Sequence, residues 1–146
     1  MIDEFIIKDI DKEIRDLVIL FNDNNFQTFT SCVGGKGHCF PLTTIGFETI
    51  GNFEEHLEKI NNIFLFINSK SDIIKKSLGS LKKRYCSLSY LTIYGYYLSN
   101  NKIIPDDKQV TYVIYARFAS NRKILEKQYL DNLRLLNEEL YSITEI

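Results

Sequence analysis

The sequence predicts an α+β fold: a single two-layer domain spanning 1–146, with an antiparallel sheet of about four strands and three or four helices in the order α-β-β-α-(α)-β-β-α. Three observations carry this expectation. Apolar residues recur at helical spacing in separate segments, which marks amphipathic helices. Aromatic and β-branched runs come in two pairs, each joined by a polar or glycine-rich stretch. Helical segments separate the pairs, and hairpins packed under helices suit a layered antiparallel fold better than a parallel doubly wound one. The length of 146 residues matches one domain.

The first helix is expected from about Asp9 to Asn24, because Ile10, Ile14, Leu17, Val18 and Phe21 fall on one stripe. Phe26 to Ser31 is short, aromatic and β-branched and reads as a strand, followed after a glycine-rich loop by a second strand over Leu42–Ile50. Gly46 inside that second run marks a place where other atoms approach the backbone closely. Asn52, with Glu55 three positions on, fits a capping signal for a helix whose stripe is Phe53, Leu57, Ile60, Phe64 and Ile67. Ser71-Asp72 can cap a short helix carrying Ile74, Leu78 and Leu81. Tyr85–Leu98 and Val110–Phe118 read as an antiparallel strand pair joined by the polar loop Ser99–Gln109. Ser120 is expected to cap a last helix, with Leu125, Tyr129, Leu133, Leu136 and Leu140 on one face.

Composition narrows the function classes. Hydrophobic residues make up 45% and charged residues 25%, so disorder and membrane spanning are poor readings. Eighteen Lys and Arg against nineteen Asp and Glu leave a net charge of -1, which argues against bulk nucleic-acid binding. Three cysteines without a leader point to a reduced, cytoplasmic protein. Aromatic strands make a homodimer reasonable.

The segment Thr30-Ser31-Cys32-Val33-Gly34-Gly35-Lys36-Gly37-His38 departs most from core building. Glycines at 34, 35 and 37 allow successive N–H groups to turn inward as an anion nest, while Thr30, Ser31, Lys36 and His38 add side-chain donors. It is not a Walker loop, because the Gly-x4-Gly-Lys-Ser/Thr spacing is missing. Cys32, His38, Cys39 and Cys86 have the wrong spacing for a Cys3His zinc site, and Cys86 reads as a small core hydrophobe. Cys32 and His38 as nucleophile and base lack a marked third group, so Cys32 is read as structural. His56, beside Glu54, Glu55 and Glu58, reads as a solvated surface histidine. Lys70, Lys75, Lys76, Lys82, Lys83 and Arg84 outweigh Asp72 and form a basic run that usually solvates a helix face but can attract a phosphate. Tyr94 among the clustered tyrosines, and Tyr115 with Arg117 on one strand face, are candidates for stacking and phosphate contact.

The helix, the Asn-containing turn, and Phe26-Gln27-Thr28 leading into Thr30-Ser31-Cys32-Val33-Gly34-Gly35 resemble the wybutosine-synthesis methyltransferase family acting on tRNA, whose signature runs Thr-x-Ser-Ser-Cys-Ser-Gly-Arg. They also resemble small bacteriophage and bacterial proteins that carry Ser-Cys-Glu-Gly-His after a similar helix and strand. Ser31, Cys32 and Gly34 match; Thr30, Val33 and Gly35 stand where the methyltransferase signature has Ser, Ser and Arg, and the Gly-His pair is displaced to Gly37-His38. The resemblance covers the first third of the chain and implies a ligand loop of nucleotide-handling type.

These readings converge on a non-enzymatic binding protein that holds a small phosphorylated ligand, of the kind a nucleotide-derived signal provides. In a phage setting it would sequester a host immune nucleotide and so serve evasion of host defence. The expected ligand-binding residues are Thr30, Ser31, Cys32, Gly34, Gly35, Lys36, Gly37, His38, Tyr94, Tyr115 and Arg117; no catalytic residue, metal or cofactor is assigned. The alternatives are an enzyme on RNA or nucleotide, as a diverged tRNA methyltransferase or phosphodiesterase, and a protein–protein inhibitor that uses the tyrosine-rich sheet.

Overall fold

The computed structural model describes residues 10–51, 53–93, 96–99, 102–105, 110–136 and 139–146. A 3-10 turn at Lys12–Ile14 leads into helix α1 (Arg15–Asp23), which buries Leu17, Val18 and Phe21 as their spacing requires. Strands β1 (Thr30–Cys32) and β2 (Thr43–Gly51) follow, then helices α2 (Phe53–Ser69) and α3 (Ser71–Leu78). Strand β3 (Tyr85–Ile93) gives way to a small hairpin of β4 (Tyr96–Ser99) and β5 (Lys102–Pro105). Strand β6 (Val110–Ala119), helix α4 (Arg122–Leu136) and strand β7 (Glu139–Glu145) complete the order.

The main sheet has five strands in the order β1-β2-β6-β3-β7, every neighbour antiparallel. The α+β class therefore holds, with a wider sheet than expected. β2 and β3 run parallel to each other with β6 between them; β6 and β7 do the same around β3. Both crossovers step the same way across the sheet but start on strands of opposite direction. Right-handed connection thus sets α2 and α3 on one face and α4 on the other.

The first face carries the core: Ile45 and Phe47 of β2, Ile114, Ala116 and Phe118 of β6, and Cys86 and Leu88 of β3 pack against apolar stripes of α1 to α3. Leu125 of α4 is buried outside that cluster. Over β1, β2, β6 and β3 the second face is mostly polar, since register aligns Cys32, Thr44, Arg117 and Ser87 in one row and Thr30, Gly46, Tyr115 and Ser89 in the next, while β7 continues the first row with Ile143.

Several expected elements shift. Leu140 belongs to β7 and not to the last helix, because the free edge of β3 offers a hydrogen-bond ladder that outweighs a coincidental helical period. The helix cap is Asn121, whose Oδ1 accepts from the Ile124 N–H at 3.0 Å, and not Ser120. The loop Ser99–Gln109 contains β5. The strand expected over Phe26–Ser31 is shorter and shifted, covering Thr30–Cys32. His56 is 2% exposed, a correction to its reading as a surface group. His56, Ile60, Ile63 and Ile67 form the fully buried stripe of α2, while Leu57 and Phe64 are half-buried, so the helix is rotated from the expected register. Asn52 and Tyr94 lie outside the described residues.

Candidate functional site

Two segments leave the same end of the sheet. Thr43, Phe118, Cys86 and Thr144 form one cross-strand row there. The glycine loop, residues 33–42, enters β2 at Thr43, and the basic segment, residues 79–84, enters β3 at Tyr85. One strand lies between these entries, so they stand roughly 10 Å apart.

The glycine loop is tied at its base. The Thr43 hydroxyl donates to the Val33 carbonyl at 2.6 Å, and the Thr44 hydroxyl donates to that of Leu42 at 2.7 Å, which satisfies two buried hydroxyls. Gly34 has φ 82°, and a Cβ there would lie 2.2 Å from the Leu42 carbonyl carbon. No side chain fits at that point. The Val33 N–H donates to the Asp11 carboxylate at 2.8 Å and the Gly34 N–H to Cys32 Sγ at 3.4 Å. The Gly35 N–H donates to the carbonyls of Phe40 and Pro41 at 3.2 Å, and the His38 N–H to that of Gly35 at 3.1 Å. Four of the loop's backbone donors, those of Val33, Gly34, Gly35 and His38, are thus engaged within the loop and with Asp11. What remains at the tip is exposed Lys36 and His38.

The other expected residues divide. Thr30 lies over Gly46, where a Cβ would meet its Cγ2 at 2.5 Å, so the close approach read from the sequence is made by neighbouring side chains. Ser31 is half-buried, and Cys32 is 5% exposed. Tyr115 stacks at a tilt on Phe40 of the loop, 5.7 Å between centroids, and the Arg117 guanidinium sits 4.9 Å from the Tyr115 ring. Arg117 is only 6% exposed and donates to Ser89 Oγ at 2.7 Å, so it braces the polar sheet face under the loop.

Sequence reasoning missed Asp11. Its carboxylate, Cys32 Sγ and a ring nitrogen of His38 all lie within 4.8 Å of one another. Of the four residues weighed as a Cys3His set, Cys32 and His38 converge and Cys39 and Cys86 do not: Cys39 is exposed on the loop, and Cys86 is buried in the helix-facing core, where desolvation pushes its thiol well above the ordinary range. No spacing rule joins Asp11 to the loop; only the turn before α1 brings it there.

The basic segment is also pinned. The Lys82 N–H donates to the Gly79 carbonyl, the Arg84 N–H to that of Ala119 at 3.0 Å, and the Ile146 N–H to that of Arg84 at 2.7 Å. Lys75, Lys82, Lys83 and Arg84, with Glu145 as the one acidic side chain, line an open cavity of about 410 Å³ bordered by Gly79 and Ile146. A second cavity, about 370 Å³, is bordered by Glu55, Glu58 and Lys59; burial lowers the Lys59 ammonium below its usual value, and the carboxylates make this cavity hostile to anions. Among the described residues no helix is long and apolar enough to cross a membrane. The chain matches no protein-family model, no curated protein and no solved structure.

Proposed function

We propose that the protein binds a small phosphorylated ligand, of the class of a nucleotide-derived signal, and sequesters it without turnover. The observation that supports this is the basic cavity: four cationic side chains against one acidic side chain, on backbone held by three hydrogen bonds. A local field of one sign raises the concentration of an anion even when the whole chain is nearly neutral. The volume suits a small ligand. Lys36 leaves the same sheet end and is a donor for the distal part of such a ligand. The anion centre thus moves from the glycine loop to Lys75, Lys82, Lys83 and Arg84, and the loop becomes its neighbour.

Calorimetry with inorganic pyrophosphate and a panel of nucleotides tests the reading. Binding that weakens with added salt and falls by about tenfold or more in Lys82→Glu/Lys83→Glu supports it. Equal affinity of parent and variant would remove it. Chromatography of the recovered ligand distinguishes storage from turnover.

A further inference from the structure

Asp11, Cys32 and His38 come from three different places, the turn before α1, the end of β1 and the loop tip, yet their donor atoms meet within 4.8 Å. We propose that these three side chains bind a single transition-metal ion of the zinc class, a site separate from the basic cavity and independent of the ligand proposed for it.

The donor set fits that class. Thiolate and imidazole favour Zn²⁺ over Mg²⁺ or Ca²⁺, which take oxygen ligands, and one carboxylate completes a mixed set. Around tetrahedral zinc, with Zn–S about 2.3 Å and Zn–N or Zn–O about 2.1 Å, donor atoms stand on the order of 3.5 Å apart. The present spacing requires closure of roughly 1 Å by that same geometry. His38 can supply it, being exposed at the tip of a glycine loop.

The other two donors are already oriented. The Val33 N–H donates to the Asp11 carboxylate and the Gly34 N–H to Cys32 Sγ, and groups of this kind fix ligands around metals and tune their basicity. Two anionic donors and a neutral imidazole balance the charge of a divalent ion, which is the condition for placing one beside a buried sulfur. The tight Gly34 turn acquires a reason here: it delivers an N–H to the sulfur and sends the loop back so that His38 returns to the strand end. Three protein donors leave one tetrahedral position for an exogenous ligand, as in catalytic zinc sites and unlike structural ones.

The test titrates metal-free protein with Co²⁺ and then displaces it with Zn²⁺. Expected are one ion per chain and a thiolate-to-cobalt absorption band that Cys32→Ser abolishes. His38→Gln and Asp11→Asn should weaken Zn²⁺ binding by roughly tenfold or more, the scale on which even groups hydrogen-bonded to metal ligands act. Cys39→Ser should leave band and affinity unchanged. A band that survives Cys32→Ser, a band lost in Cys39→Ser, or parental affinity in His38→Gln overturns the proposal. Because His38 is exposed, its variant folds, as circular dichroism will verify, and the test does not depend on the fate of the buried positions.

Discussion

The glycine loop and the basic segment leave the same end of one sheet, and they invert what their compositions suggest. The loop has the residues of an anion nest, yet four of its N–H groups, those of Val33, Gly34, Gly35 and His38, already have partners within the protein. The basic segment has the residues of a solvated helix face, yet it lines an open cavity bordered by Glu145 and Ile146. Composition reports which donors a segment owns; hydrogen bonding and concavity decide which of them are offered to a ligand.

The largest effect expected from breaking this contrast is at Gly34. Gly34→Val forces a branched side chain into positive φ and onto the Leu42 carbonyl, so it should destabilise by about 3 kcal/mol or more in urea melts. A loss below about 1 kcal/mol would mean that the loop root is slack. Gly37→Ala, at a tip with nothing within 4 Å, should cost no more than about 1–2 kcal/mol.

Charge reversal at the other segment should do the opposite. Lys82→Glu/Lys83→Glu should reduce pyrophosphate affinity by about tenfold or more, equivalent to about 1.4 kcal/mol, with little change in melting temperature. If the melt shifts and the affinity does not, the segment is a structural cap and not a site.

The cysteines at the roots of the two segments sharpen the comparison further. Burial raises the Cys86 thiol, so the unfolded chain loses this proton at a lower pH than the folded protein does. The unfolded state then binds fewer protons, and stability falls as pH rises above the ordinary thiol range of about 8.5, by at most about 1.4 kcal/mol per unit. Urea melts in alkaline buffer should show this decline in the parent and not in Cys86→Ala. The smallest expected effect is Cys32→Ala in metal-free buffer, about 1 kcal/mol, typical of a modest truncation at a strand end. An unchanged melt would show that the sulfur does not brace the loop.

What could be read from the chain follows the range of the forces involved. The stripe of α1 was legible because helical period and burial coincide at Ile14, Leu17, Val18 and Phe21. Gly46 was legible because a glycine inside a strand signals close approach, here by Phe29 and Thr30. β7 was not, since Leu140 satisfies a helical period and only the unpaired edge of β3 draws it into the sheet. His56 was misread because its neighbouring glutamates suggested solvent, while rotation of α2 is set by packing. The basic run was visible, but its concavity needs Glu145 and Ile146 from a remote strand, and Asp11 meets Cys32 and His38 only after α1 docks.

The central strand carries one more consequence, for the order in which the protein can assemble. β2 and β3 do not pair with each other; each pairs with β6, which follows both in the chain. Until residues 110–119 leave the ribosome, the main sheet can hold nothing beyond the β1–β2 hairpin, and two apolar strands wait with open ladders. Such edges recruit other chains. β6 therefore acts as a late template on which both halves register at once, and a chain stopped before Val110 should aggregate rather than fold.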